Sequence, residues 1–476
     1  MKKSLFVLAL FVAQLSYAQW EPDVRLTNHP DTSKTSYNPV RCIAAIDNFV
    51  HVVWYDKRDG NYEIYYKRST DKGVSWEADN RLTYDIASSY NPSIAVSGTD
   101  IHVVWNDTRD RNPEIYYKQS IDGGSSWGSD TRLTDDTASS YQPAISVSGA
   151  CVQVVWTDLR DINHEIYYKR SLDGGMSWED EIRLNYDDNH SYNPSIATSG
   201  TDTHIVWNDF RDGPTGIYYN HSDDMGVSWY SDLPLTNGTA SSHLASIAVS
   251  GTNLHVAWMD YRDGDASEIY YKQSLNGGVS WEEAERLTKD GWSHSMRPNL
   301  DVSSQGVHLV WEDTRQGNYS IYYRRSDDGG FSWESDTLLS YNLGMSSRRS
   351  SISTADSVVH VVWCDYRDMN YEIYYKRDPT GDIIVGLENE LTGNTNQPIS
   401  FFPNPASSII NINIIDHPIG KSLLVIRNIL GETVVSKQIQ TNELLLDVST
   451  LLNGLYFVEV IMPNKRAERQ KLIICK

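Results

Sequence analysis

Cysteine is scarce in this chain: four in 476 residues (Cys42, Cys151, Cys364 and Cys475), with no Cys-x-x-Cys pair and no regular spacing. That argues against a disulfide framework or a thiolate zinc site and leaves free, buried thiols as the reading. A Cys42–Cys364 bridge is the one pairing that neighbouring first and last repeats would allow. Long apolar runs are missing too, since after Leu15 none approaches the roughly 18 residues that span a bilayer. Positive charge is also short, with 41 Lys and Arg against 63 Asp and Glu and a net charge of −22. An acidic body of that size disfavours nucleic acid and anionic membrane surfaces as partners.

What the chain has in abundance is repetition. Trp-x-Asp-x-Arg occurs seven times, at Trp54/Asp56/Arg58, Trp105/Asp107/Arg109, Trp156/Asp158/Arg160, Trp207/Asp209/Arg211, Trp258/Asp260/Arg262, Trp311/Asp313/Arg315 and Trp363/Asp365/Arg367. Successive Trp positions lie 51, 51, 51, 51, 53 and 52 residues apart, a period that suits four short strands and exceeds most helical repeats. One unit reads SIAVSG, IHVVWND, EIYYKQS, DGGSSW and TRLT, which is β-branched and aromatic runs bounded by turn residues. The runs HVVW and IYY are almost continuously apolar, as in strands covered on both faces. Four antiparallel strands repeated radially make a β-propeller.

The ends predict how the ring closes. The seventh repeat stops at Arg377 without a Trp-bearing fourth strand, while Trp20-Glu21-Pro22-Asp23-Val24-Arg25-Leu26-Thr27 copies Trp76-Glu77-Ala78-Asp79-Asn80-Arg81-Leu82-Thr83. The N-terminal strand should therefore complete blade seven and remove the free edges. Ahead of it, Lys2-Lys3, an apolar run to Leu15 and Ser16-Tyr17-Ala18 read as a signal peptide over 1–18. The expected plan is a seven-bladed propeller over 19–377, a Gly/Asn/Thr-rich linker over 378–397, and a small β-sandwich over 398–476.

Between the third and fourth strands stands Ser-x-Asp-x-Gly-x-x-Trp, with its Asp at Asp71, Asp122, Asp173, Asp224 and Asp328, and Asn276 in repeat five. The motif resembles the Asp-box, or BNR repeat, of the sialidase-like propellers. It is a turn device, in which the carboxylate accepts backbone N–H groups and Gly supplies a permissive dihedral. The resemblance places these boxes on the face opposite the ligand face, so they speak for architecture rather than catalysis. Near the C-terminus, Phe402-Pro403-Asn404-Pro405, Asn428-x-x-Gly431, Asp447-Val448-Ser449 and Gly454-Leu455-Tyr456 resemble the type A sorting domain of the type IX secretion system. That resemblance implies passage through the periplasm to the cell surface or the medium, with the secretion machinery as a partner.

Seven near-identical Asp/Arg pairs cannot all be one catalytic site. Their simplest role is to staple each loop to the next blade by charge-assisted hydrogen bonds. Asp56, Asp59, Asn61 and Glu63 also offer oxygens to a calcium ion, although not at EF-hand spacing; no other cofactor is suggested. Chemistry is sought where the symmetry fails. The Tyr-Asn-Pro signature (Tyr37-Asn38-Pro39, Tyr90-Asn91-Pro92, Tyr192-Asn193-Pro194) gives way to His243-Leu244, Met296-Arg297 and Arg348-Arg349 in the last three blades. Arg297, Arg348 and Arg349, with Arg315, Arg367 and His243, are the candidate residues for gripping a carboxylate. Two functions stay open: a non-catalytic propeller that binds an extracellular glycan or protein ligand, and a sialidase-like glycoside hydrolase. The Arg-Ile-Pro signature of sialidases is absent, Arg297-Pro298 being a fragment of it, and no acid/base Asp or Tyr/Glu nucleophile pair can be matched.

Overall fold

The computed structural model describes residues 20–289, 293–340 and 345–379 and, between 399 and 474, the strand segments named below. The expected signal peptide, most of the expected linker and Cys475 lie outside the described residues. Tyr17–Asp382 falls in one compact unit and Ile383–Lys476 in another.

The first unit is a seven-bladed β-propeller. Blade two shows the pattern: an inner strand Ser89–Ser97, then Asp100–Asp107, Glu114–Ser120 and a two-residue outer strand Thr131–Arg132, each antiparallel to its neighbour. Trp and Asp two residues apart point to the same side of the second strand. Trp105 Nε1 accordingly donates to Asp107 Oδ2 at 2.9 Å, and Ser89 Oγ on the inner strand donates to the same oxygen at 2.8 Å. Arg109 closes the set through its backbone N–H (3.0 Å), Nε (2.8 Å) and Nη2 (2.6 Å). Burial alone would raise the Asp107 carboxyl, but these donors outweigh it and hold it below the usual carboxylate range. Arg109 Nη1 also reaches Asp130 beside the outer strand at 2.8 Å. The staple expected to reach the next blade thus stays inside its own, tying the second strand to the fourth.

Neighbouring blades are joined at the opposite face. The Asp122 carboxylate accepts Ser120 Oγ, Ser126 N–H and Ser126 Oγ at 2.6–2.8 Å, folding the turn. Trp127 then packs edge-on against Tyr66 of blade one at 4.9 Å. Gly124 is required here, because a Cβ on it would lie 2.0 Å from the Tyr66 hydroxyl. The same contact recurs as Trp76 on Tyr375 (4.8 Å), from blade one back to blade seven.

Closure follows the copy of the fourth strand. Val24–Arg25 pairs with Tyr374 and Tyr375, completing the sheet of Ser347–Ala355, Val358–Asp365 and Glu372–Asp378. Trp20 takes the place of a box Trp and packs on Tyr323 of blade six at 4.9 Å. Cys42 and Cys364 share one buried cluster as free thiols, with no bridge between them, and Cys151 is also free and buried.

Blade one departs from the repeat. Ser33 pairs with Asp56 and Ile43 with Val52, whereas Ser89 pairs with Asp107 and Ile94 with Val103. Ten positions therefore separate Ser33 from Ile43 where five separate Ser89 from Ile94. Tyr37-Asn38-Pro39 belongs to this five-residue insertion and does not occupy the place of Tyr90-Asn91-Pro92, as the motif alone suggested. The insertion enters the axial space. Val40 is buried in one cluster with Ala144 and Ile196 of blades three and four, and Arg41 Nη2 reaches Asp301 of blade six at 2.7 Å.

The second unit carries two antiparallel sheets. One orders Ile399–Phe402, Ile409–Ile414 and Glu443–Asp447; the other orders Thr433–Gln438, Leu423–Asn428, Gly454–Met462 and Lys465–Ile474. Ile410, Ile412, Leu424, Ile426, Val458 and Val460 form their shared core, as in a β-sandwich.

Candidate functional site

On the loop face, each inner strand after the first carries a bulge at the start of its buried run. The bulged residue is left-handed: Asn91 (φ 54°), Gln142 (58°), Asn193 (55°), Leu244 (56°), Arg297 (50°) and Arg349 (58°). Asn tolerates this conformation, while Leu and Arg bear a strain of roughly 1–2 kcal/mol. In this conformation Arg297 and Arg349 both meet the insertion of blade one. The Arg297 guanidinium stands 4.5 Å from the centre of the Tyr37 ring and that of Arg349 5.4 Å from it. Arg349 Nη1 also donates to the Tyr55 hydroxyl at 2.5 Å and to the Thr35 carbonyl at 3.3 Å.

The group that gathers these residues is Glu312. Its side chain is fully buried and accepts Arg297 Nη1 (3.1 Å), Arg348 Nε (3.3 Å) and the Arg349 backbone N–H (2.8 Å). Burial alone would lower the Arg297 and Arg349 pKa values; Glu312 with Tyr37 raises the first, and Tyr55, Cys364 and Glu312 raise the second. Both guanidinium groups stay charged. Arg348 differs from them: its guanidinium stands 3.9 Å from the centre of the Tyr319 ring, is 30% exposed, and among the described residues engages Glu312 through Nε alone. Three arginines face one carboxylate, with Lys34 held against Tyr371 at 5.2 Å nearby, so this sector is cationic in an acidic protein.

The other candidates stand elsewhere. Arg315 is engaged by Asp313 and Asp336, and Arg367 by Asp365 and Asp23, both in the repeated staple. His243 is half-buried, edge-on to Tyr261 at 6.2 Å, and burial lowers its pKa against the pull of Asp260. The oxygens offered to calcium are taken by proton donors: Asp56 by Ser33, Trp54 and Arg58, Asp59 by Tyr65 and Arg81, and Glu63 by Thr83, Asn61 and Arg81. Among the described residues, no group of three metal-binding side chains converges. The boxes at Asp71, Asp122, Asp173, Asp224 and Asp328 all close serine-bearing turns on the far face.

Glu312 was missed by the motif search. It is the middle residue of Trp-x-Asp, which reads Tyr55, Asn106, Thr157, Asn208, Met259, Glu312 and Cys364 around the ring. Asking which of these is charged would have found it.

Residues 400–475 match the secretion system C-terminal sorting domain. The chain is thus addressed by the type IX system to the cell surface or the medium. Among curated proteins, none matches it in sequence. The solved structures to which the chain is similar match it at low identity. A Dyadobacter fermentans protein of unknown function is 14% identical, with a TM-score of 0.46 over 61% of this chain and 94% of its own. The phage phi92 endosialidase is 9% identical, with a TM-score of 0.48 over 95% and 87%. The NanB sialidase of Streptococcus pneumoniae is 12% identical, with a TM-score of 0.43 over 76% and 71%.

Proposed function

We propose that the exported propeller is a binding module that holds an acidic glycan on its loop face, at the sector formed by blades six, seven and one. The observation that carries this reading is the state of Arg348. Its guanidinium is oriented by stacking on Tyr319, partly exposed, and uses only Nε on Glu312, so both Nη groups remain to meet a ligand carboxylate. Arg297, Arg349 and Glu312 fix the ring of groups around it, and Tyr37, 45% exposed, adds an aromatic surface beside them.

The test compares Arg348→Ala with Arg109→Ala on an array of acidic and neutral glycans, beside a fluorogenic sialoside assay. Arg348→Ala should keep the parent melting temperature and lose binding by about 2–5 kcal/mol. Arg109→Ala should lose stability, because it leaves the fully buried Asp107 without its cation, and keep binding per folded molecule. Acidic-glycan binding unchanged in Arg348→Ala refutes the assignment, and turnover of the sialoside by the parent replaces binding with hydrolysis.

A further inference from the structure

The repeat exposes one place where an internal carboxylate has been deleted. In six blades, an acidic residue three positions after the Trp of the fourth strand bridges the staple arginine to a polar side chain on the third strand. Asp79 joins Arg58 (2.7 Å) to Lys67 (2.8 Å), and Asp130 joins Arg109 (2.8 Å) to Lys118 (2.9 Å). Glu181 serves Arg160 and Lys169, and Asp232 serves Arg211 and Asn220. Asp336 serves Arg315 and Arg324, and Asp23 serves Arg367 and Lys376 across the ring closure.

In blade five the corresponding residue is Ala284, three positions after Trp281. The two cations remain. Arg262 binds Asp260 through Nε and Nη2, lies 4.2 Å from the Tyr270 ring centre and is 24% exposed, with Nη1 donating to no group among the described residues. Among the described residues Lys272 Nζ donates only to the Leu235 carbonyl at 3.3 Å, and burial lowers its pKa, with Glu283 opposing the effect and Arg262 adding to it. Glu283 makes no ion pair with either cation, so the next acidic residue along the strand does not substitute for the missing one.

We propose that Arg262 and Lys272 form a binding site for one carboxylate group supplied from solution. Six blades show the geometry in which a guanidinium Nη1 and a third-strand donor share a single carboxylate. Ala284, packed against the apolar cluster of Leu235 and Trp258, brings no carboxylate to that position, and Arg262 keeps the partial exposure of the other staple arginines, 24% against 17–23%. The group belongs to a small carboxylate or is borne on an acidic sugar. The contacts are charge-assisted and the arginine is already positioned by Asp260, so little ordering is required on binding. The site is separate from the arginine sector and does not depend on the function proposed above.

The experiment uses the full chain and sodium formate, which is the carboxylate alone, against sodium chloride at equal ionic strength. Formate should raise the melting temperature of the parent by about 2 °C at ten times its dissociation constant. Ala284→Asp should melt higher than the parent without formate and show no further rise with it. Lys272→Gln, which keeps the apolar packing of the strand, should lose the formate response. Glucuronate in place of formate separates the two sources: an equal response means that the site takes a carboxylate on a sugar, and no response restricts it to small acids. If formate shifts the parent and Ala284→Asp alike, or shifts neither, blade five has no carboxylate site. Should Ala284→Asp fail to fold, an undiminished response in Lys272→Gln overturns the proposal by itself.

Discussion

Deleting residues 20–27 should collapse the whole propeller rather than trim a tail. The segment contributes two pairings at the edge of blade seven, with further backbone bonds from Glu21 to Arg377 (3.0 Å) and from Leu26 to Ile373 (2.8 Å). Its side chains matter more. Glu372 has a fully buried side chain whose carboxylate is met by Arg25 Nη2 at 2.8 Å, the Thr27 hydroxyl, the His29 N–H at 3.1 Å and Asn370 Nδ2 at 2.9 Å. Losing the first two leaves a buried charge without its cation, which costs about 3–5 kcal/mol. Leu26 lies in the cluster of Val362, Ile373 and Tyr375, and its removal costs about 2–5 kcal/mol more. Asp23 also leaves Arg367 and Lys376, each 2.8 Å away, without their shared carboxylate. The total of roughly 5–10 kcal/mol compares with the 5–15 kcal/mol that holds most domains folded. The assay is thermal unfolding followed by tryptophan fluorescence, with Leu26→Ala and Thr27→Val as graded intermediates and a 19–28 peptide added in trans to restore stability by mass action. A deletion that melts within about 2 °C of the parent would refute the ring-closure argument.

Gly124→Ala should destabilise by about 1–3 kcal/mol or more, since its Cβ would overlap the Tyr66 hydroxyl, whereas Gly98→Ala, which meets open space, should cost about 1 kcal/mol for its dihedral alone; equal melting temperatures would discount the Tyr–Gly contact between blades. Acid should also unfold the ring through its buried histidines. Burial lowers the His102 pKa from 6.5 to about 4, with the imidazole bonded to the Tyr117 hydroxyl at 2.7 Å. Between those values the unfolded chain binds a proton that the folded chain refuses, so stability present above pH 6.5 is lost as the pH falls toward 4. Blade three already places Gln153 against Tyr168 at 2.7 Å in this role. His102→Gln should therefore match the parent at pH 7.5 and unfold at lower pH in an acid titration; an unchanged acid midpoint would count against the mechanism.

Much of this architecture could be read in the chain because the repeated interactions are local or lie at a fixed sequence distance. Trp105 and Asp107 share one face of one strand, Ser120 and Asp122 close one turn, and the offset of 21 residues from Arg109 to Asp130 recurs unchanged in four other blades. Offsets that recur from blade to blade leave a periodic mark, and the fourth strand missing after Arg377 could be matched to Trp20–Thr27 for the same reason. The carboxylate absent at Ala284 is legible in the same register once the partners of Arg58 and Lys67 are known.

The arginine sector had no such mark. Arg297 and Arg348 were visible as breaks in a pattern, but Glu312, which gathers them, lies in another strand and bonds to their side chains 15 and 36 positions away, whereas Asn106 and Asn208 at the same position accept the backbone N–H of Gln142 and Leu244 in the next blade. Tyr37 was misplaced for a related reason. Tyr-Asn-Pro is the same tripeptide in blade one as in blade two, yet strand pairing from Ser33 to Ile43 leaves five residues over, and these fill the axis instead of lining the rim. Sequence similarity alone fixed what those residues are; only the hydrogen-bond register of the closed ring decided where they stand, because a strand can shed extra residues only into space its neighbours leave open, and in a propeller that space is the axis.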